Sequence, residues 1–230
     1  MDDDLFLRVA SITSMVRLSK PRLSPPQIER ARAVMAELGA HAERAYRAGD
    51  ESTVPGRMRG LGLTESEAMG AVGAFVLTGT ETLVSYIPRL VCLLLDSDWL
   101  PVIAGDRALV EPAIAEGLRV TTPSPVMLRS VVADDAIGTV RVRPGDRVIL
   151  ATFAANRALG PFDPTANAAA TLKQLWFGAG THFCLGAPLA MAQIRAVLGT
   201  LLEFPALSVE SRKVARGVLI PSYQRVVVRG

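Results

Sequence analysis

Apolar residues recur every three or four positions along two long stretches of the chain, and alternate with polar ones only in short runs further on. Behind Ser24-Pro25-Pro26-Gln27, a capping-box pattern with proline at the first helical position, Ile28, Ala31, Met35, Leu38 and Ala42 keep helical spacing. That predicts an amphipathic helix from Gln27 to about Arg47. A polar stretch, Gly49 to Arg59, follows, and Thr64 to Glu67 repeats the capping-box pattern. The apolar run behind it continues past Glu81 to Leu95, so this second helix is expected to lie mostly buried. Pro88 removes one backbone donor inside it and predicts a kink or a break into two helices.

A third helix is expected after Asp106, running to Arg119, and a last one over Pro188 to Phe204. Between Thr139 and Phe153, Val140, Val142, Val148, Leu150 and Thr152 alternate around Pro144-Gly145-Asp146, which reads as a hairpin. The tail, Gly217 to Val228, is rich in valine and reads as a strand pair bent near Pro221. The fold class that follows is mainly α with small β-sheets. A helical segment over residues 1–60 precedes a core over residues 61–230, with no repeat and no polar linker between independent domains.

Composition narrows the function classes. Half of the 230 residues are hydrophobic and 20% are charged, which suits a packed domain rather than a disordered segment. The 25 basic and 22 acidic residues leave a charge of only +3, and the basic ones are scattered, so nucleic acid is not an expected partner. The acidic start, Met1-Asp2-Asp3-Asp4, is unlike a secretory signal, and Glu81 interrupts the longest apolar run, so no membrane span is expected. Two cysteines, Cys92 and Cys184, and two histidines, His41 and His182, are too few for a cysteine–histidine zinc site and favour a cytoplasmic setting.

The richest chemistry lies in Phe177-Gly178-Ala179-Gly180-Thr181-His182-Phe183-Cys184-Leu185-Gly186, directly ahead of the last predicted helix. Gly178, Gly180 and Gly186 allow tight turns and close approach to a flat cofactor. Cys184 is placed where free amide donors and the helix dipole favour a thiolate, the form that binds iron. Alone, Cys184 would read equally as a small buried hydrophobe. With its surroundings, the stretch resembles the haem-thiolate signature of the cytochrome P450 family, Phe-Gly-x-Gly-x-His-x-Cys-x-Gly, a match expected by chance about once in a million chains of this length.

The resemblance implies a partial cytochrome P450 fold, comprising the oxygen-activating helix, the Glu-x-x-Arg helix, the cysteine-ligand loop and the helix after it. Haem b is the implied cofactor, with Cys184 as its metal ligand. Phe177, Gly178, Gly180, His182, Leu185 and Gly186 would form the cofactor loop, and His182 would donate to a haem propionate. Gly79-Thr80-Glu81-Thr82 looks like the oxygen-activation motif, which makes Glu81 and Thr82 the implied catalytic, proton-delivering pair; taken alone, the two face solvent as readily. Glu116 and Arg119, three apart on one helix face, match the family's structural Glu-x-x-Arg pair, and Arg129 matches a second propionate anchor.

The similarity runs from about Leu61 to the C-terminus, and family members are longer at the N-terminus. Pro161 stands where the family has an arginine before Phe-Asp-Pro, so the side chain that joins Glu116 and Arg119 is expected to be lost. Two function classes follow. The first is a monooxygenase, or its haem-binding half, oxidising a small organic molecule with O2 and electrons from a ferredoxin-type donor, with a protein partner covering the missing half. The second is an inactive auxiliary protein that stabilises a partner enzyme such as a natural-product glycosyltransferase.

Overall fold

A computed structural model describes residues 3–13, 22–172, 175–218 and 220–230. Met1 and Asp2 of the acidic start, and Leu219 of the tail, lie outside them. The chain divides into two compact units, one of residues 1–84 and 215–221, the other of residues 85–214 and 222–230.

The first unit is helical. α1 (Asp3–Thr13) presents Leu5, Val9 and Ile12, spaced one helical turn apart, to Val34 of α2 (Pro25–Ala48), with Val76 and Leu77 joining the same cluster. Arg8 of α1 donates two bonds to the Glu37 carboxylate of α2, at 2.6 and 2.8 Å. α2 starts as its sequence predicts, with the Ser24 amide and hydroxyl both donating to Gln27 Oε1 at 2.9 Å. The polar stretch after it is not a plain loop. Its second half forms α3 (Val54–Gly60), because Thr53 caps it by accepting from the Gly56 amide at 3.1 Å and Pro55 occupies its first turn.

α4 (Glu65–Asp96) begins at the second capping box, where the Thr64 amide and hydroxyl donate to Glu67 Oε2 at 2.8 and 2.7 Å. Of the kink or break expected at Pro88, the break does not occur, since the helix continues to Asp96. Proline costs an interior helix one donor and a steric contact, and packing outweighs that here: Tyr86, Leu90 and Leu94 around it are buried. The expectation that α4 is mostly buried is corrected for its apolar stretch. An 18-residue window of mean hydropathy 1.3 is only 11% buried, and by length and composition the helix is long enough to cross a membrane.

In the second unit, α5 (Trp99–Gly105), α6 (Val110–Val120), α7 (Thr152–Arg157) and α8 (Ala187–Leu201) surround the end of α4. Ile114 and Leu118 of α6 and Ile194 and Leu198 of α8 form its buried centre. Gly117 lets α6 approach α4 closely: a Cβ there would lie 2.5 Å from Leu90 Cδ1 and 3.0 Å from the Tyr86 hydroxyl. Asp106 caps the 3-10 turn that leads into α6 by accepting from the Ala108 amide at 3.0 Å.

Among the described residues three small sheets form, each two-stranded and antiparallel, and two sequence expectations about them are corrected. β1 (Met127–Ser130) pairs with β4 (Arg147–Leu150), while β2 (Asp135–Ile137) pairs with β3 (Val140–Val142). The predicted hairpin between β3 and β4 is therefore absent. Gly138, at φ +62, turns β2 directly onto β3, and the Arg143–Asp146 turn returns the chain to Val131, whose amide donates to Asp146 O at 2.9 Å. Alternation marks strands but not their partners. Thr152, expected in a strand, instead opens α7. Similarly, the tail is one strand, β6 (Tyr223–Arg229), paired with the mostly polar β5 (Ser208–Val214) rather than with itself.

Candidate functional site

The loop that ends at Cys184 is built from two 3-10 turns, Leu175–Phe177 and Gly180–His182. Gly178 and Gly180 adopt φ +74 and +70, values that side-chain-bearing residues rarely take, and so reverse the chain within three residues. The reversal is closed by the Cys184 amide donating to Phe177 O at 2.9 Å and the Phe183 amide donating to Gly180 O at 3.0 Å. The rings of Phe177 and Phe183 meet edge to face with centroids 6.2 Å apart.

Cys184 is a half-buried free thiol, two residues before the Gly186 N-cap of α8. A Cβ at Gly186 would come 3.9 Å from the sulfur, so the glycine keeps that side of the sulfur clear. Phe183 and Leu185, on either side of Cys184, are 46% and 77% exposed, and Leu189 on α8 is 65% exposed, which leaves apolar surface on the loop and the helix start. His182 is exposed at the tip of the second turn. Arg129, in the same unit, is exposed on β1, where its Nη1 donates to Leu128 O at 2.9 Å.

Glu116 and Arg119 meet with both side chains fully buried, Nε to Oε1 at 3.0 Å and Nη2 to Oε2 at 2.6 Å. Pro161 does not leave this pair without a third partner. The shortened loop supplies main-chain carbonyls instead: Nη1 donates to Asn156 O at 2.6 Å and Gly160 O at 3.0 Å, and Nη2 to Pro161 O at 2.7 Å. All five guanidinium N–H groups are thus bonded. The Glu116 carboxylate in turn accepts from the amides of Ala169 at 2.7 Å and Asp163 at 3.4 Å. One buried ion pair therefore clamps residues 156–169, the segment that leads to the Cys184 loop. Sequence reasoning missed these partners because they are backbone atoms, which carry no residue signature.

Glu81 and Thr82 lie in the first unit and are half-buried on α4. The Thr82 hydroxyl donates to Thr78 O at 2.8 Å, and Thr78 and Thr80 bond back to Ala74 O and Val76 O in the same way. A groove of about 430 Å³ at the end of α4 and along β5 is bounded by Asp96, Asp98, Glu210 and Arg212 and includes no residue of the Cys184 loop. Beside it, hydrogen bonding to Asp96 raises the Arg212 guanidinium above its ordinary range, and burial pushes the Tyr223 hydroxyl up. Asp96 pairs with Arg212, and Glu210 with Arg229 at 3.1 Å.

Residues 105–214 match the family model Cytochrome P450. The chain is 34% identical over 178 residues to the cytochrome P450 monooxygenase PikC of Streptomyces venezuelae, covering 74% of this chain and 42% of that protein. It is 33% identical over 151 residues to the biotin biosynthesis cytochrome P450 of Bacillus subtilis, covering 64% and 38%. Its fold is similar to part of P450BioI, solved with an acyl carrier protein carrying hexadec-9Z-enoic acid, at TM-score 0.83 and 24% identity over 99% of this chain and 61% of that one. Cytochrome P450 CREJ is equally similar, at TM-score 0.83, with 60% of its chain covered. The chain thus spans about two fifths of the curated relatives' length and three fifths of the solved chains.

Proposed function

We propose, for a chain that belongs to the cytochrome P450 family over the part of the family's length it spans, that Cys184 would hold the iron of haem b through its sulfur and that the chain is the haem-holding portion of a monooxygenase. The observation that carries this is the Cys184 loop: a half-buried thiol at a helix start, held by the bond to Phe177 O and cleared on one side by Gly186. Haem b is the cofactor of this family, and the residues present suit it. The donor is a single soft thiolate, which iron accepts, and Phe183, Leu185 and Leu189 give apolar surface beside it.

Bound there, haem supplies reductive activation of O2, with electrons from a ferredoxin-type donor and a small organic molecule as substrate. The chain's own residues do the rest. Cys184 would hold the iron through its sulfur. His182 and Arg129, both exposed cations or donors on the same unit, anchor the propionates. Gly178, Gly180 and Gly186 would leave room for the group, and the Phe177 ring packs edge to face on Phe183. Glu81 and Thr82 would be the proton-delivering pair. Because the Thr82 hydroxyl donates to Thr78 O at rest, it accepts a proton first and donates only after turning away from that carbonyl.

The test is a haem titration of the purified chain, followed in the Soret region, beside Cys184→Ala and His182→Ala. The proposal expects one haem per chain, a changed spectrum in Cys184→Ala and weaker binding with an unchanged spectrum in His182→Ala. Identical spectra for the chain and Cys184→Ala would overturn it.

A further inference from the structure

We infer that Gly160 is a positioning residue for the Cys184 loop, and that its main chain takes the place of the arginine for which Pro161 stands. The inference rests on the reading of Cys184 above. Gly160 adopts φ +107, where a side-chain-bearing residue is strained. Its amide donates to Arg157 O at 3.1 Å and turns the chain just beyond α7. The turn presents two successive carbonyls to Arg119, Gly160 O at 3.0 Å and Pro161 O at 2.7 Å. A Cβ at Gly160 would meet nothing within 4 Å, so the glycine supplies a backbone angle there and not space.

The hydrogen bonding around it is complete without another side chain. Glu116 Oε1 accepts from Arg119 Nε and the Ala169 amide, and Oε2 from Arg119 Nη2 and the Asp163 amide. A carboxylate has about four lone-pair sites, so no acceptor is left for a second guanidinium. The carbonyls therefore replace the arginine rather than leave its place empty. Their grip reaches Cys184 through packed neighbours. Arg119 Nη1 holds Gly160 O together with Asn156 O of α7, the latter at 2.6 Å. α7 packs on the 3-10 turn Leu175–Phe177, and Phe177 O receives the Cys184 amide at 2.9 Å. A turn at Gly160 that reopens frees one side of the guanidinium, loosens its hold on α7 and so loosens the Phe177 carbonyl that orders Cys184.

The experiment compares Gly160→Ala with Gly138→Ala in the full chain without haem, reading amide hydrogen exchange by NMR at Cys184 and, as a global reference, at Leu198 in the buried centre. Gly138 is the matched control: it has φ +62 in the turn between β2 and β3, outside the clamped segment, and a Cβ there also meets nothing within 4 Å. Both variants are expected to lower the urea midpoint, but only Gly160→Ala speeds exchange at Cys184 relative to Leu198, by at least about tenfold. Gly160→Asn, a residue type that tolerates positive φ, falls between wild type and Gly160→Ala, and carries the comparison if Gly160→Ala does not fold. Adding Pro161→Arg to Gly160→Ala leaves exchange fast, since the new cation finds no acceptor. Equal exchange at Cys184 in the two glycine variants, a rise shared equally by Leu198, or protection restored by Pro161→Arg each overturns the inference. Soret spectra of the same proteins with haem b added keep the two readings apart: fast exchange in Gly160→Ala with no haem taken up by the wild type refutes the haem reading alone, and thiolate-bound haem with equal exchange refutes the role of Gly160 alone.

Discussion

Removing Arg119 is the perturbation whose size the structure sets most directly. In Arg119→Met the fully buried Glu116 carboxylate loses two charge-assisted bonds, and the carbonyls of buried Asn156, half-buried Gly160 and exposed Pro161 lose their donors. Breaking a buried ion pair from one side costs roughly 3–5 kcal/mol, or on the order of 150- to 5,000-fold in the unfolding equilibrium. Arg119→Lys keeps the charge but has three donors for five acceptors, so it falls between the variant and the wild type. The surface pair of Arg195 with Glu111, bonded at 2.6 and 2.9 Å but half exposed, is the control, and Arg195→Met costs under about 1 kcal/mol. Urea unfolding followed by circular dichroism, extrapolated linearly, measures all three. A loss in Arg119→Met no larger than in Arg195→Met refutes the view that this clamp holds residues 156–169.

Three further outcomes are expected. Gly70→Ala and Gly79→Ala each stabilise the isolated chain by about 0.5–1 kcal/mol, because the added methyl meets open space and the helix gains propensity; a loss in urea unfolding contradicts this. Gly117→Ala destabilises by roughly 1–3 kcal/mol in the same assay, since its Cβ overlaps Leu90 and crowds the Tyr86 hydroxyl. Hydrogen bonds from the Thr64 and Thr165 hydroxyls hold the Glu67 and Asp163 carboxyls below their ordinary range. The folded chain therefore binds fewer protons than the unfolded one, and the stability these groups give is present above about pH 4 and lost as pH falls through their folded values. In Asp163→Asn the acid slope of the unfolding midpoint is flatter, and an unchanged slope removes Asp163 from the account.

Much of this was legible in the sequence where a local rule applied. The capping boxes at Ser24 and Thr64 placed two helix starts, and the spacing of Glu116 and Arg119 placed them on one face of α6. Strand partners were not legible. Val140, Val142, Val148 and Leu150 alternate correctly, yet Gly138 and the Arg143–Asp146 turn decide which edges meet, and both act through backbone geometry. β5 was hidden because its pattern is largely polar and its partner lies beyond Pro221. At the site, the glycines and Cys184 announced themselves, since a tight loop at a helix start restricts residue type. The carbonyls that replace an arginine around Arg119 did not, because any residue supplies one. Burial of α4 was misjudged for a related reason: periodicity tells which face is apolar and not what polypeptide covers it.

The most direct test of the central claim is a carbon monoxide difference spectrum of the dithionite-reduced, haem-loaded chain, recorded beside Cys184→His. Thiolate ligation predicts a strongly red-shifted Soret band in the chain and its loss in the variant, where a neutral imidazole replaces the sulfur. A band at the imidazole position in both proteins contradicts the assignment of Cys184 as the axial ligand.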